Sequence, residues 1–515
     1  MVVSIDGDTR HVVFEHALNF DEEFPEYGTT NGVHRGADPR EVSSSPLLWA
    51  DALDRMMAVV SREGGFDLRT LAAISGSGQQ HGSVYLNDRA LPTLAALDPA
   101  QALARQLTGI FSRREAPVWM DESTTKQCVA MERALGGREA FARRTGSAAT
   151  ERFTGPQIRK FYEQQRDAYS ATRRIHLVSS YLASLLAGSD APLDPGDGAG
   201  TNLMDIHTRC WATDVLAATA PDLASKLPEL RPSWTVVGPL APYWQQRYGF
   251  PATLVVAWSG DNPCSVVGSG LVSEGAVALS LGTSDTLFTV TRAPRISPGG
   301  SYVFGSPTGD YMSLICFKNG SLARERIRDA YGLDWRGFSD ALRSTAPGNE
   351  GALMLPWFEP EITPHVDHAG VRRRDLAEQD AAANVRAVVE AQMMAMANHS
   401  APVTGPRVGR VLATGGASAN REILRIAADV FDADVYQLAG GNSACLGAAL
   451  RAFHAHQRSQ GRDLPWEEIV AGFVEPVEES RVTPIAANVA VYTQLRRKYA
   501  EFEADALRES GSRGD

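Results

Sequence analysis

Two periods of apolar spacing, one near 2 and one near 3.6, take turns along this chain, and their alternation predicts an α/β protein. Val2 to Ile5 and His11 to Phe14 read as β-arms around Asp6-Gly7-Asp8, because Asp-Gly between apolar-rich runs favours a tight hairpin. Leu47 to Val60 carries apolar residues at helical spacing, with Ser45 or Pro46 available to start it. Leu71 to Ile74 reads as a short strand running into the turn Ser75-Gly76-Ser77-Gly78. From Arg173 to Ala187 the pattern predicts an apolar helix closed by Gly188, and 189–200 is the most loop-like stretch. Ala252 to Trp258 is a continuous apolar run, suited to a strand buried on both faces.

A second hairpin is predicted over Ala276 to Val290, turning at Gly282-Thr283-Ser284-Asp285. Arg410 to Ala413 leads through Gly415-Gly416 into a helix from Asn420 to Phe431, and the segment from Pro465 is charged and helical in pattern. Two α/β halves, each opened by a hairpin, suggest a duplicated fold with a junction near residues 255–268 and a cleft between the halves.

The 515 residues suffice for two large domains or three smaller ones. A net charge of −11 supplies no positive field for nucleic acid or anionic membrane, so neither is expected as a partner. It leaves room for a small phosphate site built from backbone N–H groups. Cys128, Cys210, Cys264, Cys316 and Cys445 are odd in number and widely spaced, which reads as buried thiols in a reducing compartment. With no basic n-region before an apolar stretch at the start and no run of 18 apolar residues, a soluble, cytoplasmic protein is expected.

Four constellations can carry chemistry. The Gly282-Thr283-Ser284 turn can aim N–H groups and two hydroxyls at one anion, with Asp285 available to hold a water of Mg²⁺; it is equally an ordinary hairpin turn. Ala413 to Leu424 (ATGGASANREIL) ends a strand in two glycines that let backbone approach something flat, or simply joins strand to helix. Asp261, after a buried strand, stands where open α/β sheets present ligands; it could accept a proton from a hydroxyl, and Asn262 could hydrogen-bond a neighbouring one. Asp-Asn-Pro is also a good turn. Gln79, Gln80 and His81 between glycines, and Arg152, could read vicinal hydroxyls or play structural parts.

Taken together, SGSGQQHGSVY, VWMDESTTKQC, ERFTGPQIRKFY, DGAGTNLMDI, GDNPCSVVG, SLGTSDTLF, CFKNGSL, LATGGASANREIL and NSACLGAALRA resemble, in order and spacing, the FGGY carbohydrate kinases and within them the branch acting on xylulose. The resemblance implies two actin-like (ribonuclease H-like) α/β domains with an active-site cleft between them. It implies a sugar-binding domain over 1–258, a nucleotide-binding domain over 259–456 and a helical extension over 457–515. Asp261 then matches the catalytic base, and Gln80, His81, Arg152 and Asn262 match sugar contacts. Gly282, Thr283 and Ser284 match a phosphate-binding loop, Gly415, Gly416 and Asn420 an adenosine site, and Trp335 a residue flanking adenine. The implied partners are a sugar and ATP with Mg²⁺, the γ-phosphoryl group passing in line to a sugar hydroxyl.

Two departures stand out. Gln157 follows Pro156 where the family usually has Lys, with Lys160 three residues later. The family also begins with a central strand and a loop Asp-x-(Gly/Ser)-(Thr/Ser), of which this sequence has no counterpart ahead of its hairpin. A lost central strand leaves buried N–H and C=O groups unpaired at ~1–3 kcal/mol each. The expectation is therefore ~15–20 further residues upstream, the length of a strand and turn. The competing expectations are a kinase for another ketose or polyol, or a catalytically silent sugar sensor lacking the first phosphate loop.

Overall fold

Helix starts in this protein are set by side chains that reach back to free amides, as the orphan donors of a first turn require. Ser45 accepts from Leu47 N at the head of the Pro46–Glu63 helix, Asp334 from Gly337 N at Trp335–Ser344, and Asn420 from Glu422 N and Ile423 N at Arg421–Phe431. The structure is a computed structural model that describes all residues except 298–299, 406, 439–441 and 512–515. Its contacts divide the chain into two compact units: 1–272 with 303–312 and 442–474, and 273–302 with 313–441 and 475–515.

The first unit uses short strands. Ala73–Ile74 runs parallel to Leu254–Val256, which pairs antiparallel with Val236–Pro239; Ser77–Gly78 runs parallel to Ser259–Gly260. The helix expected from Arg173 begins later, because Arg174–Leu177 is a strand paired antiparallel with Ser83–Leu86. Only Val178–Ala187 is helical, closing on Gly188 at φ 65°. Trp244, Tyr181, Leu185 and Val255 are wholly buried among these elements. The opening hairpin forms as expected from Val2–Asp6 and His11–His16. Among the described residues, Val2–Asp6 and Ala73–Ile74 each have a single sheet neighbour, and both line a cavity of about 790 Å³.

The expected boundaries at 258/259 and 456/457 differ from these units because two helices pack backbone to backbone inside the first. A Cβ on Gly268, in Asp261–Gly268, would lie 1.8 Å from the Ser443 carbonyl oxygen; one on Gly447, in Ser443–Ser459, would lie 1.9 Å from that of Cys264. Side chains at either position would drive the helices apart, so 442–474 stays with 261–268.

In the second unit the strand order runs Asp285–Thr291, Ala276–Leu281, Arg410–Thr414, Asp434–Leu438, Pro476–Val482. The second hairpin forms as expected, Leu281 opposite Asp285. The C-terminal segment is not purely helical: Pro476–Val482 pairs with Asp434–Leu438 before the Ala486–Gly511 helix begins. The 24-residue helix Ala381–Thr404 carries apolar residues on nearly all sides because it is buried between sheet and helices, with Val388, Met393 and Met396 fully covered. Of the cysteines, Cys128 and Cys264 are buried, but Cys210 is exposed, against the expectation of five buried thiols. No helix among the described residues is long and apolar enough to cross a membrane.

Gly447→Ala should cost about 1–3 kcal/mol, the usual price of overpacking, measured by urea unfolding. A variant as stable as the parent would mean that the two helix backbones are not in contact.

Candidate active site

The site in the first unit grows from two parallel strand ends. Gly78 lies opposite Gly260, and the chain leaves them as Gln79-Gln80-His81 and Asp261-Asn262. Gln80 N donates to Asp261 Oδ1 at 3.1 Å, and Asn262 Nδ2 donates to Gln80 Oε1 at 2.8 Å. Burial pushes the Asp261 carboxyl above the usual range, while backbone N–H groups of Gln80 and Asn262 pull the other way. A carboxylate with a raised affinity for protons is suited to work as a general base.

His81 sits at φ 72°, a left-handed conformation that few non-glycine residues adopt. Its ring nitrogen Nδ1 is 2.6 Å from the Gly200 carbonyl oxygen, its ring stacks on Phe153 with centroids 4.0 Å apart, and Phe304 closes in at 6.5 Å. Burial lowers its pKa to about 3, and the Arg152 charge pushes the same way. The imidazole is therefore neutral at working pH: Nδ1–H donates to Gly200 and Nε2 is left as an acceptor. Gln80 is buried, its Nε2 reaching the Gly196 carbonyl at 3.4 Å. The Arg152 guanidinium, about a quarter exposed, is 3.7 Å from the exposed Glu122 carboxylate. Gln80, His81, Asp261 and Asn262 thus come together, with Arg152 close enough to act on His81.

Sequence reading missed what supports this group. Most of the loop-like stretch, from 191 to 200, is in fact buried or nearly so, and Pro195–Ala199 forms a short helix capped by Asp194. Asp194 accepts from Asp197 N at 3.0 Å, Ser259 Oγ at 2.8 Å and Ser233 Oγ at 2.8 Å, with Arg451 3.5 Å away. Burial first, then the charges of Asp194 and Asp261, raise the Asp197 carboxyl well above its usual range, and Ser179 hydrogen-bonds it. The available signal was two aspartates around Pro-Gly in DGAGTNLMDI and its preceding loop, a pattern that also marks solvated turns.

In the second unit, Ala276–Leu281 and Arg410–Thr414 are parallel neighbours with Ser280 opposite Thr414, so their carboxyl ends share one sheet edge. Gly415, at φ 86°, packs so tightly there that a Cβ would lie 2.5 Å from Leu281 O. Gly282 is half-buried, and Thr283 and Ser284 are exposed at the turn. Gly416 opens the turn of 3₁₀ helix that ends at Asn420, whose Nδ2 donates to Ser339 Oγ at 2.9 Å. Ser339 in turn donates to the Trp335 carbonyl, and the Trp335 ring is 45% exposed with the Arg328 guanidinium 4.5 Å from its centroid. Gly282, Gly415, Gly416, Asn420 and Trp335 are therefore linked through adjoining elements, pairing N–H and hydroxyl groups with a flat aromatic face.

Asp285 does not fit the expected role beside Mg²⁺. It is fully buried, and both carboxylate oxygens accept from Arg324, at 2.8 and 3.0 Å, so neither faces a hydrated ion. No group of three or more His, Cys, Asp or Glu among the described residues could hold a metal.

Residues 113–268 match the N-terminal domain of the FGGY family of carbohydrate kinases, and 277–456 match its C-terminal domain. The chain belongs to the FGGY family of carbohydrate kinases. It is 43% identical to a xylulose kinase of Rattus norvegicus over 518 residues, covering 98% of this chain and 95% of that one. Xylulose kinase 2 of Arabidopsis thaliana is 39% identical over 538 residues, covering 99% and 96%. Among solved folds, a gluconate kinase from Lactobacillus acidophilus superposes with a TM-score of 0.79 at 18% identity, covering 93% of this chain and 92% of its own. The two-domain α/β architecture of this FGGY kinase follows from that likeness.

Asp261→Asn should stabilise this kinase at pH 7. A carboxyl whose folded pKa lies above its unfolded value binds its proton more tightly when folded, so stability falls as pH rises through the folded pKa. Urea midpoints across pH should show the variant's advantage shrinking toward about pH 4, where unfolded aspartate takes up its proton. An advantage that is constant with pH would remove the burial argument.

Proposed function

We propose that the protein transfers the γ-phosphoryl group of ATP to D-xylulose, giving D-xylulose 5-phosphate, with Asp261 as general base. The observation that carries this reading is the meeting of Asp261, Asn262, Gln80 and a neutral His81 at one pair of strand ends. Amide, imidazole and carboxylate there offer directional donors and acceptors of the kind a polyol requires. The identity to xylulose kinases over nearly the whole chain supports the choice of sugar.

Asn262 and Gln80 orient the sugar, and His81 Nε2 accepts from one of its hydroxyls. Asp261 takes the proton of the attacking hydroxyl as its oxygen bonds to phosphorus, and the bond to the departing ADP oxygen breaks. Because burial raises its proton affinity, Asp261 is a better base than an ordinary aspartate. The Gly282–Ser284 turn receives the phosphates through N–H and hydroxyl groups, while Gly415, Gly416, Asn420 and Trp335 hold the nucleoside. ATP arrives as its Mg²⁺ complex, a substrate that keeps most of the ion's ligands as water and phosphate oxygen.

ADP release should be fastest with D-xylulose in a panel of ketoses, aldoses and polyols; a clear preference for another sugar would replace the substrate named here. Asp261→Ala should lower kcat by ~10²–10⁴ with sugar binding nearly intact, and an unchanged kcat would take the proton-accepting role from Asp261. His81→Ala should raise the sugar KM; an effect confined to the ATP KM would misplace it. The acid limb of the kcat/KM profile should lie above the ordinary aspartate range.

A further inference from the structure

The Gly282–Ser284 turn rests on a run of buried polar side chains that ends in one arginine. Arg324 is fully buried and grips Asp285 with both ends of its fork, Nη1 to Oδ2 at 2.8 Å and Nη2 to Oδ1 at 3.0 Å. The same Nη1 donates to Gln392 Oε1 at 2.7 Å, and Nη2 donates to Ser321 Oγ at 3.0 Å. Gln392 Nε2 donates to the carbonyls of Asn319 and Gly320 at 2.7 and 3.0 Å. Ser321 N donates to Gly282 O at 2.7 Å. Gly320 is wedged between them: a Cβ there would lie 2.7 Å from Asp285 N and 2.8 Å from Gly282 O. Asn319 is tied down in turn, its N and Nδ2 meeting Glu361 Oε2 at 3.1 and 2.8 Å.

The two residues fixed by this network, Gly282 and Asp285, are the two that bracket exposed Thr283 and Ser284. A buried ion pair is a poor device for stability, since apolar residues of the same volume commonly do as well or better. It is a good device for position, because a bidentate fork sets both distance and angle. We propose that Arg324 is a positioning residue for phosphoryl transfer. By holding Asp285 directly and Gly282 through Ser321, it fixes the turn in the geometry that meets the phosphates of ATP. This rests on the reading of that turn as the phosphate site, and the experiment separates the two.

Arg324→Lys keeps the charge and loses the fork; Arg324→Met with Asp285→Leu removes the pair without leaving a lone buried charge. Both should lower kcat/KM for ATP by ~10- to 100-fold, the scale of a misplaced reacting group. The D-xylulose dissociation constant from calorimetry should stay within twofold, and the double variant should match the parent's melting temperature. Restored stability without restored turnover separates positioning from mere support, and the double variant carries the test if Arg324→Lys does not fold. Turnover with ATP within twofold of the parent in a folded variant overturns the proposal, as does an equal loss of sugar binding. Thr283→Val with Ser284→Ala tests the turn itself: if that variant loses ATP turnover while the Arg324 variants keep it, the phosphate reading stands and the positioning role falls. If neither set changes turnover, both fall.

Discussion

Gly78 opposite Gly260 is the contact on which the candidate site of the first unit depends. A Cβ on Gly260 would lie 2.3 Å from the Gln80 side chain and 2.8 Å from Asp197 Oδ1, and one on Gly78 would lie 2.6 Å from Ser179 N. Bare backbone at this pair lets the Val178–Ala187 helix and the 194–200 segment close directly over the strand ends. That closure brings the Gly196 and Gly200 carbonyls to Gln80 and His81. It also takes Asp261 away from water, which raises its pKa. One steric requirement thereby sets the position of the binding amides, the tautomer of the imidazole and the basicity of the carboxylate.

A second regularity runs through both units. Three buried carboxylates come with an arginine: Asp194 with Arg451, Asp285 with Arg324, and Glu390 with Arg386 at 3.0 Å and Tyr492 Oη at 2.7 Å, while others, such as Asp429 and Glu361, are held by amides. A lone charge removed from water would cost several kcal/mol, so each of these oxygens needs a cation or several donors to remain ionised. Asp197 has no such cation within hydrogen-bond reach, and burial with the charges of Asp194 and Asp261 raises its proton affinity. The Arg-rich composition, with only five lysines among 50 basic residues, suits this use, because a planar fork satisfies both carboxylate oxygens at once.

Much of the fold could be read from the sequence wherever a local signal and a packing demand agree. Asp-Gly and Gly-Thr-Ser turns between apolar runs located both hairpins, Ser45 with Pro46 located a helix start, and Gly188 located a helix end. The errors fall where long-range pairing decides. Arg174–Leu177 carries no local mark that separates it from the helix that follows; only Ser83–Leu86 across the ladder makes it a strand. The 189–200 stretch has loop composition because its Asp, Gly and Pro residues serve caps and close approaches inside the unit, not contact with solvent. The candidate residues were legible as types at turns, but Asp285 shows the limit of that view. A carboxylate next to an anion-binding turn looks like a metal ligand until an arginine 39 residues further along claims both oxygens.

That contrast also bears on the choice of base. Asp261 is held by backbone N–H groups, from Gln80 and Asn262, and no arginine among its described partners offsets its burial. Those N–H groups lower its proton affinity, but burial outweighs them and the net shift is upward. An arginine fork occupies both oxygens and opposes the effect of burial, though at Asp285 burial still leaves the carboxyl above its usual range. Structural carboxylates here are held either by an arginine fork, as Asp285 is, or by amides, as Glu361 and Asp429 are; Asp261 belongs to the second kind, and burial is what raises its proton affinity.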